Sequence, residues 1–315
     1  MIEQFKRDVD AGLSAQDKYL PSQYFYDAEG DRIFQEIMAM PEYYVTKAED
    51  EIFNSKTSEI INALNIQSDE FFEIIELGAG DGEKTKKLLK KLVDQGYDFV
   101  YHPVDISANI LEHLEDVLKE EIPDLAVQPR QDQYFDALAA FNETDHRKIV
   151  LFLGSNIGNL DDALATDFLY QLGCNFRHDD ILLLGVDLKK SRDIVLPAYN
   201  DANGITARFN LNLLNRINRE LGANFSLDSF DHQPEYNEEE GIAYSYLIST
   251  TNQTVFIESL DKSFEFAEGE KIHTEISRKY DEDILNSIIA ETDFDLDHKI
   301  MDSRHYFADY ILKRN

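Results

Sequence analysis

The sequence predicts an α/β fold, a doubly wound parallel sheet closed by an antiparallel C-terminal hairpin, and three observations carry that reading. Four strand-like segments, the last two of them continuous apolar runs, alternate with helical patterns between residues 71 and 187, and strands apolar on both faces belong to a parallel sheet covered on both sides. The first run leads into "GAGDG", a glycine-spaced turn at the carboxyl end of a strand, where open α/β sheets hold their ligands. The last residues, "DFDLDHKIMDSRHYFADYILKR", read as two strands with a tight connection, which gives a mixed sheet with an antiparallel edge.

The elements follow in order. "FFEIIEL" (71–77) is the first strand, and "GEKTKKLLKKLVDQ" after it carries helical spacing through Leu88, Leu89 and Leu92. "DFVYHPVD" (98–105) is the second strand, followed by a helix that Ser107 caps. A short strand near Leu125–Val127 and a helix around Tyr134–Phe141 come next. Then follow the strand "KIVLFLG" (148–154), a helix near Asp161–Leu172 and the strand "DILLLGVD" (180–187). Residues 204–221 present Phe209, Leu213, Ile217 and Leu221 on one helical face, and Gly222 stops that helix. "IAYSYLISTT" and "TVFIESL" alternate like antiparallel strands around a turn at Asn252-Gln253.

A chain of 315 residues buries a large core, as one big domain or two smaller ones. Lys+Arg 30 against Asp+Glu 62 leaves a net charge of -32. A surface of that sign repels phosphate backbones and anionic lipid, so neither nucleic acid nor a membrane is an expected partner. One cysteine, Cys174, leaves no internal disulfide and fits a reducing compartment. The N-terminus lacks the apolar stretch of a signal peptide, and no apolar run approaches the ~20 residues that span a bilayer. These features predict a soluble, cytoplasmic protein. The 8 histidines form no ligand-spaced cluster, so no metal is expected.

What the glycine turn holds follows from its spacing. Gly78-x-Gly80-x-Gly82 differs from the dinucleotide fingerprint, whose third small residue would fall on Glu83. A carboxylate there spoils close helix packing and repels a pyrophosphate, which argues against a nicotinamide oxidoreductase. The turn suits a nucleoside without phosphates, with S-adenosyl-L-methionine (SAM) the leading candidate. Asp105, closing the second strand, is placed to accept hydrogen bonds from both ribose hydroxyls.

Six segments extend the reading. "LPSQYFYDAEGDRIFQEIMAMPEYYVTKAEDEIF" (20–53), "ELGAGDGEKT" (76–85), "LFLGSNIGNL" (151–160), "LLLGVDLKK" (182–190), "AYNDANGITARFN" (198–210) and "HTEISRKY" (273–280) resemble the SAM-dependent histidine-specific Nα-methyltransferases, which make histidine betaine (hercynine) in ergothioneine biosynthesis. The resemblance covers nearly the whole chain in the same order. It implies a Rossmann-like methyltransferase domain, residues 48–189 with 280–315. It also implies an interleaved α+β substrate-binding domain, residues 1–47 with 190–279. It further implies a monomer, as strong self-repulsion does.

By that resemblance the SAM site includes Tyr26, Gly78, Gly80, Lys84 and Asp105, with Lys84 facing the donor's carboxylate. The family's Asp-Phe pair near the adenine falls here on Gln133-Tyr134, which retain a hydrogen-bonding amide and a stacking ring. The amino-acid substrate falls to Tyr43, Asn159, Tyr199, Thr206, Glu275 and Ser277, of which Tyr43, Asn159 and Tyr199 lie nearest the chemistry. Glu275 and Ser277, two apart on a strand, share a face and can hold both imidazole nitrogens. Ser245 stands where the histidine enzymes often carry a methionine, which implies a more polar or larger pocket. The implied reaction is three successive methyl transfers to the α-amino nitrogen of L-histidine. Two alternatives stand beside it: an Nα-methyltransferase for another, tryptophan-derived amino acid, and a SAM-binding protein without catalysis.

Overall fold

Strand and helix periods in the sequence translate directly into elements in a computed structural model, which describes residues 2–132, 134–135, 137 and 145–314. The chain opens with α1 (Ile2–Ser14) and α2 (Ala28–Ala39), then α3 (Tyr44–Ser55) and α4 (Thr57–Ala63). Next come β1 (Phe72–Leu77), α5 (Thr85–Asp94), β2 (Phe99–Asp105), α6 (Ala108–Glu121) and the short strands β3 (Ala126–Val127) and β4 (Arg130–Gln131). β5 (Arg147–Phe152), α7 (Asp162–Cys174), β6 (Ile181–Asp187), α8 (Arg192–Tyr199) and α9 (Ile205–Leu221) follow. Five strands then succeed one another: β7 (Phe230–Asn237), β8 (Ile242–Ser249), β9 (Gln253–Ile257), β10 (Lys262–Phe266) and β11 (Lys271–Arg278). The chain closes with α10 (Glu282–Ile289), β12 (Phe294–Met301) and β13 (Phe307–Arg314).

Two compact units divide these elements: residues 1–44 with 190–278, and residues 45–189 with 279–315. The second unit holds an eight-stranded sheet in the order β12-β13-β6-β5-β1-β2-β3, with β4 also on β2. β5, β1 and β2 run parallel, as do β5 and β6, whereas β13 lies antiparallel to both β6 and β12. Strand order reverses between β1 and β5, so the loops after those two strands flank the switch point where such sheets bind ligands. β1 is buried at every position and β6 likewise, as strands covered on both faces must be. Ser107 caps α6 by accepting from the Ile110 N–H at 3.4 Å, and Asp161 caps α7 through the Leu164 N–H at 2.8 Å. The helix expected around Tyr134–Phe141 lies mostly outside the described residues; Tyr134, Phe135 and Ala137 are helical.

The first unit packs α1, α2 and α9 against β-structure through a core that includes Phe5, Phe25, Phe209, Leu213, Ile217, Phe230 and Leu247. Gly222 ends α9 in the left-handed region (φ 67°), as the sequence predicts. The expected turn at Asn252-Gln253 is not a hairpin. β8 is the central strand of a three-stranded sheet, β11-β8-β7, and β9 pairs with β10 in a separate ribbon. Alternation reports a strand's period but not its partner, and both edges of β8 are already taken by β7 and β11.

Candidate active site

β1 ends at the switch point in a turn that only glycine fits. Gly78 has φ 74°, and a Cβ there would stand 2.9 Å from Tyr134 Oη and 3.2 Å from Asn156 Nδ2. The absent side chain leaves a cradle bordered by both residues. Gly80 donates its N–H to Asp105 Oδ2 at 3.3 Å, while Asp105 Oδ1 accepts from the Ser107 N–H at 3.0 Å. Each carboxylate oxygen keeps a lone pair for another donor. At Gly82 a Cβ would collide with Leu114 of α6. The close helix approach expected to fail at Glu83 is therefore made one residue earlier, and the Glu83 carboxylate turns away to Lys86 at 2.9 Å.

The Lys84 ammonium pairs with Glu49 of α3. Burial opposes its charge, but the Glu49 carboxylate outweighs that and leaves Lys84 above the usual lysine range. The Tyr134 ring packs edge-on against Phe152 (5.6 Å) and Phe168 (6.3 Å). Burial and the Asp105 charge push its phenol up to about 12, so it faces Gly78 as a neutral hydroxyl. Gln133 lies outside the described residues. Beneath the turn, Glu76 of β1 accepts from Thr85 Oγ1 at 2.7 Å and from Tyr101 Oη at 2.5 Å. Burial raises Glu76 to about 7 despite those two hydrogen bonds. Asn159 closes the helical turn Asn156–Asn159 that follows β5.

The other unit contains Tyr26, Tyr43, Tyr199, Thr206, Glu275 and Ser277. Tyr26 and Tyr43 both meet Phe34 edge-on, at 5.7 and 6.4 Å, so one aromatic cluster orients both rings. Tyr199, the last residue of α8, donates its hydroxyl to Ser277 Oγ at 2.8 Å. That bond joins two residues expected at opposite ends of an amino-acid substrate. Thr206 sits in the first turn of α9, where its N–H and that of Ile205 donate to Asp201 at 2.8 and 2.9 Å. Burial works against the Asp201 charge, but those N–H groups hold its carboxyl below the usual range.

Which face Glu275 and Ser277 share is set by a feature the sequence did not reveal. β11 pairs with β8 in register His273↔Tyr246, then slips, so that Glu275 stands opposite Ser245 and Ser277 opposite Ala243. Ala243, Ser245 and Leu247 form the buried face of β8. The extra residue, Thr274, donates its hydroxyl to Asn210 Oδ1 of α9 at 2.8 Å and reaches the Ser245 carbonyl at 3.0 Å. Without the bulge, Glu275 would oppose Tyr244 on the outer face. Asp187, at the end of β6, is a wholly buried partner of Lys279 Nζ at 2.7 Å.

A parallel sheet with an antiparallel C-terminal pair, a glycine cradle at its switch point and a carboxylate closing the next strand define a Rossmann-like methyltransferase. The family model described as histidine-specific, SAM-dependent methyltransferase matches residues 5–314, and the chain belongs to that family. A histidine N-alpha-methyltransferase of Mycolicibacterium smegmatis is 37% identical over 289 residues, 92% of this chain and 88% of the relative. One from Mycobacterium tuberculosis is 35% identical over 275 residues, 87% and 84% of the two chains. The ergothioneine biosynthesis protein 1 of Schizosaccharomyces pombe is 28% identical over 302 residues, which cover 94% of this chain and 39% of that protein.

Proposed function

We propose that this chain trimethylates the α-amino nitrogen of L-histidine, using S-adenosyl-L-methionine, to give histidine betaine. The observation that carries the reading is the bulge-set face of β11, where Glu275 and Ser277 present a carboxylate and a hydroxyl on the same side. An imidazole offers one donor and one acceptor, and this pair answers both. A site built to hydrogen-bond a polar ring rejects analogues without it by ~10⁴–10⁵, far beyond what an apolar pocket achieves.

The donor, when bound, supplies an electrophilic methyl group on a sulfonium. Gly78 and Gly80 would line it, Asp105 would accept from its ribose hydroxyls, and Lys84 would meet its carboxylate. Tyr134 and Tyr26 complete that set. Tyr43, Tyr199 and Thr206 hold and orient the amino acid, and Asn159 offers an amide to its amino group or carboxylate. Orientation of this kind supplies ~7–11 kcal/mol of a barrier. As the nitrogen becomes quaternary, the faces of Tyr43 and Tyr199 offer cation–π attraction of ~0.5–2 kcal/mol. The reaction stops when the nitrogen has no lone pair.

A second reading keeps the chemistry and changes the acceptor to a bulkier amino acid. Ser245 favours it, being buried opposite Glu275 with a side chain smaller than methionine. Calorimetric titration of L-histidine and of S-adenosylhomocysteine into the protein and into Glu275→Ala separates the roles. The variant is expected to lose histidine binding and keep the nucleoside's. Equal loss of both would remove Glu275 from the acceptor site.

A further inference from the structure

α3 carries a carboxylate in its apolar stripe, with Glu49 in line with Val45, Ala48 and Ile52, all of them buried. One Glu49 oxygen accepts from the Lys84 ammonium and the other from the Gly154 N–H at 2.8 Å. Lys84 leads into α5 from the glycine turn, and Gly154 follows β5, so one side chain ties together the two loops that flank the switch point. A Cβ at Gly154 would lie 3.7 Å from Lys84 Nζ.

Directly across the sheet, Gly185 of β6 opposes Asp309 of β13. A Cβ at Gly185 would collide with Glu49 Oε1 and come within 3.1 Å of Asp309 Oδ1, so two carboxylates crowd the space that this glycine leaves open. Asp309 is wholly buried, and neither of its oxygens is hydrogen-bonded among the described residues. Burial, then the adjacent Glu49 charge, raises it well above the usual carboxylate range. Around Lys84 stand Glu49 from α3, Glu76 from β1 and Asp309 from β13. Of the three, Glu49 is the one that touches the ammonium.

We propose that Glu49 is a positioning residue for the methyl donor: it fixes the Lys84 ammonium beside the Gly154 turn, ready for the carboxylate of the donor's amino-acid end. An ammonium has three donors, so the bond to Glu49 leaves two for a ligand. The inference rests on the reading that Lys84 meets that carboxylate. Its physical content is that burial pulls the Lys84 pKa down while the Glu49 charge, ahead of those of Glu76 and Asp309, holds it up.

The test is calorimetric titration of S-adenosylhomocysteine into the full chain, Glu49→Gln and Lys84→Met, from about pH 7 to about pH 10. With Glu49→Gln, Lys84 loses its counter-charge, and affinity relative to the unmodified protein should fall about tenfold or more across that range. Lys84→Met should bind weakly throughout, with no added pH dependence. If Glu49→Gln follows the unmodified protein at every pH while Lys84→Met is weak, the inference is overturned and the Lys84 reading stands. If Lys84→Met binds as well as the unmodified protein, both fall. Should Glu49→Gln not fold, Glu49→Asp carries the test, because it keeps the charge on a shorter arm. It should weaken binding and retain the original pH profile; unchanged affinity, or a new alkaline loss, would overturn the inference.

Discussion

Glu275 stands opposite Ser245 across β11 and β8, and it does so because Thr274 is bulged out of the ladder between His273 and Glu275. One inserted residue moves a carboxylate from the face of Tyr244 and Tyr246 to the face of Ala243, Ser245 and Leu247. Deleting Thr274 should return Glu275 to the outer face and abolish histidine binding while S-adenosylhomocysteine still binds. Thr274→Val keeps the chain length but strips the Asn210 and Ser245 hydrogen bonds. It should cost about 1–3 kcal/mol in chemical denaturation, because Asn210 Oδ1 is left without that donor in the core.

The glycines of the turn should respond unequally. At Gly78 a methyl meets Tyr134 and Asn156, whereas at Gly80 nothing lies within 4 Å of the added carbon. Both residues have positive φ, so each alanine carries backbone strain. Gly78→Ala should lose nucleoside affinity at least about tenfold more than Gly80→Ala, since it fills the cradle as well. Titration of S-adenosylhomocysteine into the two variants checks this.

Tyr199 and Ser277 share one hydrogen bond, so their contributions should not add. Tyr199→Phe and Ser277→Ala should each raise KM for histidine, and the double variant should lose less than the sum. A coupling of about 0.5–3 kcal/mol is expected for residues in direct contact. A double-mutant cycle on kcat/KM measures it, with donor KM as the control that stays unchanged.

Glu76 makes stability fall with rising pH. Its folded pKa, about 7, exceeds the ordinary 4.5, so the folded state holds the proton more tightly than the unfolded chain. The contribution is complete below about pH 4.5, declines as pH rises through about 7, and amounts to roughly 3 kcal/mol. Glu76→Gln cannot titrate. The difference in unfolding free energy between it and the unmodified protein should therefore change between about pH 5 and pH 7.5 and level off beyond.

How much of this was legible in the sequence depends on the kind of signal. β1, β2, β5 and β6 are short segments rich in apolar residues, and the turn after β1 needs left-handed backbone at three glycines, so both were readable from residue types alone. The C-terminal pair β12 and β13 was readable from its period. Pairing was not: β8 and β9 both alternate, yet they belong to different sheets, because strand choice is settled by which edges are already occupied. The bulge at Thr274 left no mark in "HTEIS", since nothing local distinguishes an extra residue from a regular one. Glu49 was hidden among 62 acidic residues. Its signal was positional, a carboxylate at i, i+3 and i+4 spacing with Val45, Ala48, Ile52 and Phe53, where an amphipathic helix should be apolar.

The most direct measurement is mass spectrometry of the purified protein incubated with S-adenosyl-L-methionine and an equimolar mixture of amino acids. The account predicts histidine carrying three methyl groups on its α-nitrogen as the single methylated product. Methyl groups on another amino acid, with histidine left unmodified, would contradict it.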